Sequence, residues 1–234
     1  MPQRLTLTDI ADQAGVSTAT VSRVLNGKSN VADSTRRQVL AALDILGYER
    51  PESVHQRGVP LVTVNGNAPT IKAPGFATDD RRATRIAVDH LIALGHQRIG
   101  LAMGPMRMVP AQRKRSGYED AMREGLPQEP LRIVETLYTY EGGISAALHL
   151  LEQGCTGIVC SSDVMALGVV HGVRQTGRSV PHDVSVIGYD DSPLIPMTDP
   201  PLSTVRQPVE SICRAAVSTL LAQLNGQRPA DTEM

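Results

Sequence analysis

The sequence predicts an all-α helix-turn-helix headpiece followed by an α/β domain with parallel strands. Two observations carry this. Short helical periods interrupted by Gly15 and Gly27 fill the N-terminal stretch, and beyond Leu61 apolar runs of strand length alternate with helical periods. At 234 residues and 41% hydrophobic, the chain can bury a sizeable core and still hold a small module beside a larger one. The boundary is expected at residues 57–58, giving a headpiece over 1–57 and an α/β domain over 58–234.

In the headpiece, Thr6 and Asp9 have the spacing at which a hydroxyl and a carboxylate satisfy each other's free amides at a helix start. That helix carries Ile10, Ala11 and Ala14 on one face, and Gly15 is placed to end it in the left-handed conformation. Ser17 then caps a second helix with Val21, Val24 and Leu25 at helical spacing, broken by Asn26 and Gly27. A third helix is expected from about Ser34, with Val39, Leu40, Leu43 and Leu46 as its apolar stripe and Gly47 as its stop. Two short helices across a glycine turn form a helix-turn-helix.

The second helix leaves Thr18, Ala19, Thr20, Ser22 and Arg23 outward, without a Glu or Lys to solubilise an idle face. Short hydroxyls, a methyl and a guanidinium suit a helix in a major groove, where they meet base edges. The net charge of the chain is −1, so no global basic field announces a nucleic-acid partner. From Ser17 to Leu40, however, Arg23, Lys28, Arg36 and Arg37 face only Asp33. The opening of the third helix has the donors to hold a phosphate.

The run from Leu7 through Asn26 (LTDIADQAGVSTATVSRVLN) closely resembles the headpiece of the LacI (lactose repressor) family, and Val31 to Pro51 continues the match. The resemblance implies that Thr18, Ala19, Thr20 and Arg23 face bases of double-stranded operator DNA. It places Ser17, Ser22, Asn26, Thr35 and Tyr48 at the backbone, with Thr6 in the same DNA-binding set. Family members have a hinge after this point, and Val54 fits its pattern. Gly58 stands where a leucine would wedge into the minor groove, and Glu52 adds a negative charge, so that insertion is not expected here. The segment Val59 to Val64 resembles a late strand of the family's first sensor lobe yet follows the hinge at once. The resemblance therefore implies an internal deletion in that lobe, together with a shortened C-terminus.

In the remainder, strands are expected at Leu61–Val64, Arg98–Met103, Ile133–Tyr138, Gly157–Cys160 and Val184–Tyr189. Helices are expected at Arg82–Leu94, Ala111–Arg123, Gly143–Leu151, Val164–Arg174 and Val209–Leu224. Ligands of such sheets bind beyond the carboxyl ends of the strands, where Ser161, Ser162 and Asp163 follow one run and Asp190 and Asp191 another. A carboxylate with hydroxyls beside it accepts from the vicinal hydroxyls of a sugar or related polyol. Helix capping is the competing role, and for Asp163 the preferred one. The stretches SDVMALG from Ser162, VSVIGYDDS from Val184 and PLSTVRQP from Pro201 resemble the family's second lobe, a periplasmic-binding-protein-like sensor domain. That resemblance makes Ser162 and Asp190 effector contacts. It also points to Arg113 and Lys114, since Lys114 occupies a place where the family has arginine.

Cys155, Cys160 and Cys213 show no zinc spacing, the six histidines show no catalytic pairing or metal motif, and no P-loop or dinucleotide fingerprint is present, Gly142-Gly143 being read as a helix entry. Neither catalytic residues, a cofactor nor a metal is expected. With no leader and no apolar run of membrane-spanning length, the expectation is a cytoplasmic protein without a membrane partner. The reading is a homodimeric transcriptional regulator, a repressor responding to a sugar-like effector. Two alternatives are a DNA binder whose sensing was lost with the deletion, and a sugar-binding protein of periplasmic type.

Overall fold

The computed structural model describes residues 6–25, 30–46, 59–66, 73–199 and 201–226. The chain divides into two compact units, Met1–Pro60 and Leu61–Met234. Expectations that rested on Asn26, Gly27, Gly47, Tyr48, Glu52, Val54 and Gly58 lie outside the described residues.

The first unit holds α1 (Leu7–Ala14), α2 (Thr18–Leu25) and α3 (Asp33–Ile45). The amide of Thr6 donates to Asp9 Oδ2 at 2.7 Å and the amide of Asp9 donates to Thr6 Oγ1 at 3.2 Å, closing the reciprocal cap. Gly15 ends α1 at φ 65°, a region closed to most side chains. Helices of two or three turns are marginal alone. These are held by a shared core of Ile10, Ala11, Val21, Val24, Val39 and Leu43, to which Leu40 and Leu46 contribute from its margin.

The second unit is built on a five-stranded sheet in the order β4–β3–β5–β6–β7, every neighbouring pair parallel. Its strands are β3 (Ile99–Met103), β4 (Arg132–Glu135), β5 (Gly157–Cys160), β6 (Ser185–Asp190) and β7 (Ser203–Arg206). Helix α4 (Asp80–Ala93) leads into β3, and α5 (Val109–Gly125), α6 (Tyr140–Glu152) and α7 (Asp163–Gln175) connect β3 to β4, β4 to β5 and β5 to β6. Side chains alternate across the sheet with period two. Ile99, Leu101, Met103, Val159 and Ile187 pack with α4 and α5 on one face. Ala102, Ile158, Cys160 and Val186 pack with α6 and α7 on the other. A parallel sheet covered on both faces explains why its strands read as unbroken apolar runs.

The strand expected to reach Tyr138 stops at Glu135. The Thr136 amide makes one further bond, to the carbonyl of Met103, and Thr139 then caps α6 by accepting from the Gly142 amide at 3.0 Å. Strand β7, flanked by Pro201 and Pro208 and polar in three of its four residues, was not anticipated from periodicity. Close helix packing uses glycines. A Cβ on Gly143 would collide with the Met165 carbonyl, one on Gly168 with the Tyr140 carbonyl, and one on Gly172 would lie 2.8 Å from the Ala147 Cβ, so α6 and α7 meet backbone to backbone. The glycine pair read as a helix entry thus also sets a helix contact.

A smaller layer stands beside this sheet: β1 (Thr63–Val64) pairs in parallel with β2 (Gly75–Phe76), and α8 (Val209–Leu224) packs on them. Gln223 ties α8 to the strand, its Oε1 accepting from the Leu61 amide at 3.0 Å. The main chain passes between the layers at residues 77–79 and again at 207–208.

Gly143→Val forces a branched side chain against the Met165 carbonyl, and overpacking of this kind costs about 1–3 kcal/mol. Urea unfolding should show the loss. A midpoint equal to that of the parent protein would mean that the α6–α7 contact is not set by backbone approach.

Candidate DNA interface and effector site

Burial of Val21 and Val24 fixes the rotation of α2. Thr18, Ala19 and Arg23 are thereby exposed, with Thr20 and Ser22 half-buried at the edge of the same face. Ser17 Oγ accepts from the Thr20 amide at 3.2 Å and lies 2.9 Å from Thr20 Oγ1, so it caps the helix as expected. Thr6 is engaged in its own cap, and Thr35 is half-buried on the first turns of α3 beside Arg36 and the exposed Arg37. Of the proposed DNA-facing set, Asn26 and Tyr48 lie outside the described residues.

The second cluster gathers where β3, β5 and β6 end. Lys114, on α5, is 4% exposed. Its ammonium donates to the Ser161 carbonyl at 2.8 Å, stands 3.7 Å from Asp80 Oδ1 and lies 3.5 Å from the centre of the Tyr189 ring. Tyr189 in turn donates its hydroxyl to Asp80 Oδ1 at 2.7 Å. Burial pulls the Lys114 ammonium below its ordinary value, with Asp80 and Asp190 opposing that pull. The charge of Lys114 is therefore spent inside the protein, and Arg113 beside it is exposed on the neighbouring face of α5.

Asp190 ends β6 with φ 123°, and Asp191 follows at φ 56°. Such backbone is costly for residues with a Cβ, and strain of this kind gathers at ligand sites. Asp190 Oδ1 accepts from Gln207 Nε2 at 2.6 Å, while Gln207 Oε1 accepts from Thr78 Oγ1 at 2.9 Å. Burial raises the Asp190 carboxyl above the usual range. Ser162 is the cap of α7, accepting from the Met165 amide at 3.3 Å. Capping was the role expected of Asp163, and the structure corrects this. Asp163 is 1% exposed, and its carboxylate accepts from the Ser192 amide at 2.7 Å and from Thr204 Oγ1. Gly188 leaves room for it, since a Cβ there would strike Asp163 Oδ1.

Three buried hydroxyls, Ser161 Oγ, Tyr138 Oη and Thr84 Oγ1, have no hydrogen-bond partner among the described residues, the first two at the strand ends and the third within α4. Burial, with Asp80 and Asp190 adding to it, pushes the Tyr138 hydroxyl up to about 12. Tyr138 lies flat against Gly104, where any side chain would overlap its ring. Ser161 was within reach of the strand-end rule. Tyr138 was hidden inside an expected strand and Asp80 gave no motif signal, while Tyr189 and Gln207 lay inside stretches that resemble the family's second lobe but were not singled out. An open groove of about 640 Å³ lies apart from these residues, between Tyr140, His171, Arg174 and Leu202.

Residues 6–51 match the pattern described as bacterial regulatory proteins, lacI family, and residues 88–234 match that of a periplasmic binding protein-like domain. The HTH-type transcriptional regulator reg1 of Streptomyces lividans is 40% identical over 311 positions, covering 94% of this chain and 90% of the relative. This chain belongs to the LacI family. MalR of Streptomyces coelicolor is also 40% identical, over 94% of this chain and 90% of its own length. A solved complex of the regulator CelR with cellobiose shares the fold with a TM-score of 0.66 at 24% identity, over 97% of this chain and 95% of that one. As a LacI-family protein the chain is a DNA-binding transcriptional regulator with a helical headpiece and a periplasmic-binding-like α/β domain. Since 94% of 234 residues is about 220, about 90 of the 311 aligned positions have no residue in this chain. The deficit agrees with a five-stranded sheet standing beside a two-stranded one among the described residues.

Lys114→Met removes a buried cation and leaves the Asp80 carboxylate with Tyr189 alone. Breaking a buried pair on one side costs about 3–5 kcal/mol, and adding Asp80→Asn should recover part of it. Denaturant unfolding of both variants checks this. A single variant as stable as the parent would show that the ammonium does not hold these elements together.

Proposed function

We propose that two copies of this LacI-family chain bind a pseudo-palindromic operator through α2 and repress transcription, and that a neutral polyhydroxylated effector modulates the binding. The observation that carries the DNA reading is the outward face of α2, where Thr18, Ala19 and Arg23 stand exposed with no acidic residue among them. Thr18, Ala19, Thr20 and Arg23 meet base edges, and Ser17, Ser22, Asn26, Thr35, Tyr48 and Thr6 hold the backbone, with Val54 in the hinge. In the sensor, Asp190, Ser162 and the unpartnered Ser161 and Tyr138 hydroxyls meet the effector's hydroxyls, and Lys114 and Arg113 complete the site. Support comes from the strained backbone at Asp190, from the Ser161 and Tyr138 hydroxyls, two of the three buried ones without a partner among the described residues, and from the cellobiose held by the CelR neighbour. The protein works in the cytoplasm and has no catalytic role; among the described residues no helix is long and apolar enough to cross a membrane.

A second reading is favoured by one observation. With β1 and β2 only two residues long, the cleft above Asp190 has a wall on one side, which suits a DNA binder that no longer senses.

Selection of binding sites from random duplex DNA at two salt concentrations tests the main reading. It should return a palindromic site for the parent protein and lose it for Arg23→Ala, because a bidentate base contact contributes about 1–3 kcal/mol of discrimination. Salt-sensitive binding that ignores sequence in both proteins would sink the operator reading.

A further inference from the structure

Helix α2 reads TATVSRVL, and what it lacks narrows what it can recognise. In a major groove, adenine is gripped in a fork by Asn or Gln, and the amino group of cytosine is met by Asp or Glu. None of these four residue types stands on α2. Arg23, exposed towards its end, can fork onto guanine. That leaves the first turn, where Thr18 and Ala19 are exposed and Thr20 is half-buried. A docked recognition helix presents this end to base edges.

The three side chains of that turn have one group in common. Ala19 carries a methyl and nothing else. The hydroxyl of Thr20 is engaged, since its Oγ1 lies 2.9 Å from Ser17 Oγ, which also accepts from the Thr20 amide at 3.2 Å. The other branch of a threonine side chain is a methyl, so a methyl is what Thr20 has left for a partner. Thr18 brings a methyl beside its hydroxyl. Burial of Val21 and Val24 in the headpiece core fixes the rotation of the helix, so the cluster cannot turn inward without opening that core.

We propose that α2 reads its operator through the C5-methyl groups that pyrimidines carry on the major-groove edge, with Arg23 on guanine as the polar anchor of the helix. The proposal rests on the operator reading above and names the chemical feature that carries the sequence preference. Alanine and the threonine methyl are the side-chain groups that meet a base methyl. Burying that methyl is worth about one methylene, or roughly a fourfold change in affinity per contact. The same methyl stands at the same ring position in thymine and in 5-methylcytosine, whereas uracil and cytosine carry hydrogen there. Side chains that read the methyl alone rank the pyrimidines by it and not by the oxygen or amino group beside it. Methylation of cytosine within a half-site is therefore an input to binding, because it supplies a contact that plain cytosine lacks. An apolar contact releases no counterion, so this preference holds across salt concentrations while binding to the phosphates falls away.

The test starts from the site that the full chain selects out of random duplex DNA, whose thymines are then changed one pair at a time. Uracil in place of a read thymine in both half-sites should weaken binding at least about tenfold. At the same place, 5-methylcytosine paired with guanine should bind better than cytosine by a similar factor, at low and at physiological salt alike. Thr18→Ser and Thr20→Ser keep their hydroxyls and lose a methyl, as Ala19→Gly does without a hydroxyl. Each variant is compared on thymine and uracil DNA, so any cost to the helix cancels, and in at least one of them the difference should disappear. A parent protein indifferent to uracil at every thymine, or to methylation of cytosine, overturns the proposal. So does a uracil effect that keeps its size in all three variants, since the methyl then acts through the shape of the duplex. Selection of no site at all takes down the operator reading and this proposal with it. A selected site that Arg23→Ala destroys and uracil leaves intact removes the methyl reading alone.

Discussion

The ammonium of Lys114 is the point on which the sensor domain depends. It joins α5, the end of β5, the start of α4 and the aromatic face of Tyr189 through one buried charge. A lone cation in that position would be intolerable, so Asp80 and a carbonyl must both be present, and Tyr189 must lie flat beneath it. The glycine contact of Gly117 with the Arg81 carbonyl serves the same end, letting α5 approach α4 closely enough for the pair to form. Surface pairs across the same two helices, Arg81 with Asp120 and Arg85 with Glu124, add alignment on the wet side, where each is worth little.

Around this anchor the sheet follows from ordinary alternation. Five short strands cannot be told from buried helix by apolarity alone, and it is the intervening helical periods and the glycines after them that made the α/β order legible. The headpiece was legible for a different reason. Its capping pair, its turn glycine and its three apolar stripes are local features, and each element forms where its own residues place it. What escaped the sequence was non-local. Asp80 lies near the start of a helix and looks like a first-turn acid, but its partners are 34 and 109 residues away at Lys114 and Tyr189. Asp163 looked like a cap for the same reason, and only the packing of β6 and β7 shows that its carboxylate organises the turn at Ser192 and the edge strand at Thr204.

Strands β7 and β2 escaped because an edge strand has one partner and one wet side, and its residues need not be apolar, whereas β1 lies inside the strand expected at Leu61–Val64. Val205 alone of Ser203–Arg206 is a strong strand former with an apolar side chain. The absent first lobe could be suspected only by comparison with the family, since composition does not register a missing layer.

The bridge at Gln207 gives the Asp190 carboxylate a second significance. One amide group spans the two main-chain passages between the layers, holding Thr78 by its oxygen and Asp190 by its nitrogen. A guest that claimed that carboxylate oxygen would compete with Gln207 for it. Under the proposed effector reading, occupancy of the cleft would be felt as slack in the seam between the layers, and the same hydrogen bond would serve as both latch and reporter.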